Sequence, residues 1–248
     1  TSLNFSANDN EILELFGDTD QIPISSDVRF NGVLQEGAPI DAIWSYEVDG
    51  IYGTDDVAEA ETFGFLPGQY RFVDQNDDGV INQEDRVILG SQAPDWIAGM
   101  TNTFSYKNFE LNVQVNTRQG TFGHSEFLQN FSTFQGDRAV FNSLDQNYWT
   151  PLNQDAEFPS PEYGEDGSFP WFNTSFDFVR VGNIGLGYTF PQSVLDKLKM
   201  SNFRLSLDVQ NPFTFTDFAG PDPETGLNNS FGQTYAIKTF LFGLKVAY

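Results

Sequence analysis

The densest chemistry in this sequence lies in residues 74–85, which read DQNDDGVINQED. Oxygen donors recur at the first, third, fifth, seventh, ninth and twelfth positions of the segment: Asp74, Asn76, Asp78, the Val80 carbonyl, Asn82 and Asp85. Gly79 occupies the sixth, where a cation-binding loop must turn sharply. Such a set suits a hard, oxygen-seeking cation, and the expectation is a structural Ca2+. Asp85 is one methylene shorter than the glutamate usual at the last position, so the loop must close more tightly or through a water. The competing reading is an Asn/Asp/Gly turn that holds no metal. Strand-like runs, not helices, flank the loop. An ion there has no helix pair to open and is expected to act as a staple on an acidic loop.

The other reactive side chains assemble into less. His124 is the sole histidine and there is no cysteine, which leaves transition-metal sites and His-based triads without a basis. His124 is expected on a loop surface. The carboxylates Asp155, Glu157, Glu162, Glu165 and Asp166 are scattered over a Pro/Gly-rich stretch and read as a solvated face, so no enzyme is expected. Trp44, Tyr46, Tyr148, Trp149, Trp171 and Phe172 fall in long connections. Trp44, Tyr46, Trp149 and Trp171 are candidate stacking platforms for a ligand, with packing inside the loops as the stronger reading.

The charge balance narrows the partners. Thirty-five acidic residues against 12 basic ones give a net charge of -23, which repels nucleic acid. Aromatics reach 16%, too many for a disordered acidic tail. No apolar run is long enough for a membrane helix, and the opening TSLNFSANDN has neither a basic start nor an apolar core. The sequence reads as a piece of a longer protein.

The elements that must position these residues are strands. In 109–118, Phe109, Leu111, Val113, Val115 and Thr117 alternate with Glu110, Asn112, Gln114, Asn116 and Arg118. The same period governs 202–211 and 238–248, and more loosely 96–106 and 178–190, with a weaker strand near the start. A short amphipathic helix is predicted over 191–200. Short links (106–109, 191–200) alternate with long ones (17–94, 120–176, 216–235).

Alternation alone does not say which face is inside. A soluble sandwich buries the apolar face in a core. A membrane barrel turns it to lipid and the polar face to a lumen. Strands of about 9–11 residues, alternating loop lengths and a terminal aromatic, Tyr248, favour the barrel. Glu110, Arg118, Arg204, Asp208 and Lys245 then face the lumen. Five or six strands cannot close such a barrel, whose smallest common form has about eight, so the sequence is either a piece of a larger barrel or not a barrel.

The ordered motifs carry a resemblance. YRFVDQNDDGVINQEDRVILGSQAPDWIAGMTNTFSYKNFELNVQV (70–115) resembles the C-terminal barrel region of SusC-type (RagA-type) TonB-dependent outer-membrane transporters of Bacteroidetes, with its DxNxDGxI loop, Pro94 at the strand entry and a Y+xF turn at 106–109. FVRVGNIGLGYTFP (178–191), VQNPFTFTDFAGPDPE (209–224) and TFLFGLKVAY (239–248) are similar to the strands and the D-P-E loop that follow, and WSYEVDGIYGT (44–54) to the segment before the calcium-like loop. The resemblance implies an all-β segment of a barrel of about 22 strands. Residues 17–94 become an extracellular loop region and 95–248 the final five strands with their loops. The plug and the N-terminal strands lie outside the sequence. It further implies import of oligosaccharides or peptides, a SusD-like surface lipoprotein as lid, energy from TonB through the missing N-terminal part, and a periplasmic C-terminus. The alternative is a secreted, soluble calcium-binding β-domain such as a carbohydrate-binding module.

Overall fold

The structure, a computed structural model, describes residues 1–17, 19–24, 32–128, 147–160, 162, 173–227 and 235–248. In chain order the strands are β1 (Ser2–Ala7), β2 (Gln21–Pro23), β3 (Val33–Gln35), β4 (Ala42–Tyr46), β5 (Val48–Ile51), β6 (Tyr70–Phe72), β7 (Arg86–Ser91), β8 (Trp96–Tyr106), β9 (Phe109–Gln119), β10 (Phe122–His124), β11 (Asn173–Ser175), β12 (Phe178–Thr189), β13 (Asn202–Phe215) and β14 (Thr239–Ala247). Two helices, α1 (Val57–Phe63) and α2 (Gln192–Leu198), and a 3-10 turn at Gln83–Asp85 lie between them.

The alternating runs assemble into one antiparallel sheet in the order β1-β8-β9-β12-β13-β14. Register fixes its faces. Met100, Val115, Val181 and Phe213 lie in one row across four strands, and Phe104 pairs with Leu111, which pairs with Leu186, then Leu207, then Phe242. The opposite face carries Thr101, Gln114, Asn183 and Gln210 in a row. A β-bulge between Val181 and Asn183 admits Gly182 as an extra residue. Without it the period of two would turn Ile184, Leu186 and Tyr188 to the polar face.

The apolar face is the uncovered one. Phe242 is 83% exposed, and Leu3, Phe5, Phe104, Leu186, Phe213 and Leu244 are exposed beside it. A soluble sandwich would lay a second sheet on this face; among the described residues no strand does so. At the short-turn rim the face ends in an aromatic row: Phe109 meets Tyr188 at 4.6 Å, Tyr188 meets Phe190 at 5.0 Å, and Phe190 stacks on Phe203 at 4.3 Å. That is an interfacial girdle.

The buried cores lie in the connections instead. Residues 17–94, read from sequence as a loop region, contain a folded lobe in which Tyr46, Tyr52, Ala60, Phe65, Tyr70 and Phe72 pack together. Helix α1, which the sequence reading missed, supplies Ala60 to it. Its seven residues are too few to show a periodic stripe, and Gly64 closes it in the left-handed conformation at φ 80°. A second core joins Phe127, Leu128, Phe176 and Phe218 from the two later connections, with Leu227 packed against it.

Candidate functional site

The calcium-like loop joins β6 to the 3-10 turn and β7. Its side chains are turned onto its own backbone. Asp74 Oδ2 accepts from the Gly79 N–H at 2.8 Å, Asn76 Oδ1 from Asp78 at 3.1 Å, and Asp78 Oδ1 from Val80 at 2.8 Å. Asp85 is fully buried, with Oδ1 on the Gln75 N–H at 2.9 Å and Oδ2 on the Asn82 N–H at 2.7 Å. The latter, with the Asn82 side chain, forms a capping box on the 3-10 turn. Among the described residues no three acidic or histidine side chains are grouped for a metal. The first positions fit a hard cation by donor type and order. Asp85 keeps both its oxygens on backbone N–H groups of the loop. Hydrogen bonds within the loop, and Ile81 packed against the adjoining core, hold the segment in place.

The candidate platforms are corrected likewise. Trp44 and Tyr46 are buried in β4, and the Arg86 guanidinium lies 5.1 Å from each ring; the Trp44 indole N–H donates to the Arg86 carbonyl. Trp149 is buried against Gly68, where a Cβ would collide with its ring. None of the three offers a free face for stacking. Tyr148 is exposed, while Trp171 and Phe172, like Glu165 and Asp166, lie outside the described residues. His124 is buried in β10 opposite Asn173 of β11, not on a loop surface; so short a ladder leaves little trace in sequence.

In the lobe, burial pushes the Tyr70 phenol well above its ordinary value, with the nearby Glu157 carboxylate adding to the effect. Burial likewise raises Tyr52, and its hydroxyl has no hydrogen-bond partner among the described residues. Residues 147–160 dock here: Ser160 donates its N–H to the Gly68 carbonyl at 2.8 Å, and Thr54 to Gln154 Oε1 at 2.8 Å.

On the polar face of the sheet, Glu110 and Arg204 pair at 2.6 Å. Arg118 donates to the Pro223 carbonyl at 2.5 Å. Asp208 lies over Gly185, and neither it nor Lys245 has an ion pair among the described residues. The sequence reading missed Arg180. Its guanidinium bonds Asp222 at 2.6 Å and Glu224 at 2.5 Å, with Arg180 and Asp222 both buried. The two guanidiniums of Arg118 and Arg180 flank the Phe178 ring at 5.3 and 5.0 Å. Together they draw residues 216–227 inward as a strap over the polar face. The D-P-E motif marked that loop, but nothing in its spacing named its partner.

An antiparallel sheet with membrane-length strands, an uncovered apolar face, an aromatic girdle at the short-turn rim and ion pairs on the other face is the wall of a membrane β-barrel. No family model matches the chain. Comparison with known proteins nevertheless specifies the kind. The chain is 30% identical to TonB-dependent receptor P3 of Formosa agariphila, across all of this chain and 26% of that protein. It is 26% identical to TonB-dependent receptor SusC of Bacteroides thetaiotaomicron, across all of this chain and 24% of SusC. A solved structure of the RagAB peptide transporter superposes with a TM-score of 0.71 at 19% identity, over 99% of this chain and 27% of that one. The chain is thus a homologue of TonB-dependent receptors such as P3 and SusC, shares the fold of part of the RagAB transporter, and spans about a quarter of the length of each. Its relatives are receptors and transporters, not enzymes.

Proposed function

We propose that the chain forms one stretch of the wall and rim of a TonB-dependent outer-membrane importer. The observation that carries this is the uncovered apolar face, ended by aromatics and backed by a polar face with its own ion pairs. In this reading the long connections are extracellular and the C-terminus periplasmic. The cargo is an oligosaccharide or peptide, and a SusD-like surface lipoprotein closes over the rim. TonB acts through a part of the protein outside this chain. The likeness to SusC and to the RagAB peptide transporter supports the class, and the folded lobe gives a lid a packed surface to meet. The test is the native polypeptide in outer-membrane fractions, with and without boiling before electrophoresis. A band several times 27.8 kDa that shifts on heating supports the reading; a soluble 27.8 kDa species overturns it.

The same proposal includes a structural Ca2+ at residues 74–85. Asp74, Asn76, Asp78 and the Val80 carbonyl would hold it, with Asn82 and Asp85 fixing the loop behind. Five carboxylates and no Lys or Arg within 12 residues support it. Bound Ca2+ measured on the purified protein, with Asp74→Ala/Asp78→Ala as control, decides it. Equal metal content in both would refute the site.

A further inference from the structure

The short-turn rim reverses the charge of the chain. The links 107–108 and 190–201 hold Lys107, Lys197 and Lys199 against Asp196 alone, a net +2 where the whole chain carries -23. All three lysines are exposed, and none has an ion pair among the described residues. Asp196 is engaged elsewhere, accepting from Gln192 at 2.8 Å. The Lys107 ammonium lies 5.3 Å from the centre of the Tyr106 ring. Lys107 and Lys199 stand in left-handed backbone, at φ 51° and 53°, where a turn alone would favour glycine or asparagine.

Behind this rim the apolar face holds a groove of about 430 Å³. Phe109, Tyr188, Leu205 and Leu244 form one row across four strands, and Leu186, Leu207 and Phe242 form the next. The channel runs over Leu205 and Leu207, which are shorter than the rings of Tyr188 and Phe242 beside them. Leu205 stands two residues from Phe203 of the aromatic girdle, one same-face step of ~6.8 Å. The groove therefore lies at the depth of acyl chains, with the girdle and then the lysines on its headgroup side.

We infer that groove and lysines together form a site for one anionic glycerophospholipid of the leaflet at this rim, with its phosphate at the lysines and an acyl chain in the groove. The inference rests on the membrane-wall reading above and adds a selected partner to a face that otherwise meets lipid without preference. Charge selects the head. The acidic residues fall mainly in the long connections, so an anionic headgroup is attracted at the short-turn rim and repelled at the opposite one. Each lysine close to a membrane surface strengthens the hold on anionic lipid by about fivefold. The girdle aromatics alone would settle at an interface of either headgroup charge.

The test uses the full-length transporter in a non-ionic detergent. Dioleoyl phosphatidylglycerol and dioleoyl phosphatidylcholine are offered at equal concentration, and bound lipid is counted by native mass spectrometry. The wild type is expected to retain the phosphatidylglycerol. Lys197→Gln/Lys199→Gln should weaken that retention by about fivefold for each lysine removed. Leu205→Trp, which fills the groove with another apolar side chain, should lower it with the lysines intact. Heat-modifiable mobility checks that each variant folds. Equal retention of the two lipids by the wild type overturns the inference. So does a lysine variant that keeps the wild-type preference, which would make these lysines general interface anchors. Undiminished retention by a folded Leu205→Trp would show a headgroup held without the groove, and also overturns it. A full-length protein that stays soluble without detergent overturns the wall reading itself.

Discussion

Arg204 and Glu110 sit on β13 and β9, which are not neighbours, yet their charged groups meet at 2.6 Å. Between them runs β12, and the residue crossed is Gly187, which pairs with Glu110 on one side and Ser206 on the other. A Cβ on Gly187 would collide with the Arg204 guanidinium. The glycine is a passage for a side chain.

Gly187→Ala should therefore displace the pair. The two side chains are partly exposed, so the loss should be modest, about 0.2–1 kcal/mol. A double-mutant cycle on thermal unfolding of the folded barrel checks it: Glu110→Gln should cost little more once Gly187→Ala is present. Additive costs would show that Gly187 does not serve the pair.

Arg180 is the firmer anchor, since both it and Asp222 are buried. Removing one partner strands a charge, at a cost on the order of 3–5 kcal/mol. Arg180→Met should release residues 216–227, read as faster limited proteolysis of that loop. Arg180→Lys should fail as well, because a single ammonium cannot present the planar fork that reaches both Asp222 and Glu224. Rescue by lysine would refute the fork geometry.

The orientation of the sheet can be tested at two adjacent residues. Phe242 belongs to the apolar face and Leu241 to the opposite one. Phe242→Arg should cost about 2–4 kcal/mol if that face meets the bilayer interior, and Leu241→Arg much less. Folding yields into lipid vesicles measure both. The reverse order would turn the sheet inside out.

Lobe stability should depend on alkaline pH. The phenols of Tyr70 and Tyr52 are raised in the folded state, so folding favours the protonated form. Their contribution is intact below the unfolded value of 10.0 and falls as pH rises past it, because the unfolded chain then ionises first. Absorbance of tyrosinate should appear together with loss of the lobe's protease resistance. Early ionisation of every tyrosine in a resistant lobe would contradict the burial.

Phe65 packs against Tyr52 and Phe72 at 6.1 and 5.7 Å between ring centres. Phe65→Ala should destabilise the lobe by about 3–5 kcal/mol while the heat-modifiable barrel band persists. Loss of both together would mean that wall and lobe fold as one unit.

The sequence by itself determined the wall. Period two survives in each long strand because every residue must choose between lipid and lumen, and the bulge at Gly182 was the one place where an extra residue hid the phase of Arg180. It determined the order of short and long links and the run of oxygen donors at 74–85. Only the tertiary structure decided what the connections do. The lobe's core draws Tyr46, Ala60 and Phe72 from separate short elements that carry no period, so Trp44 and Tyr46 looked like platforms and are packing. It also decided the strap: Arg180 finds Asp222 and Glu224 across 42 and 44 residues, a pairing set by where the chain returns and not by any local pattern.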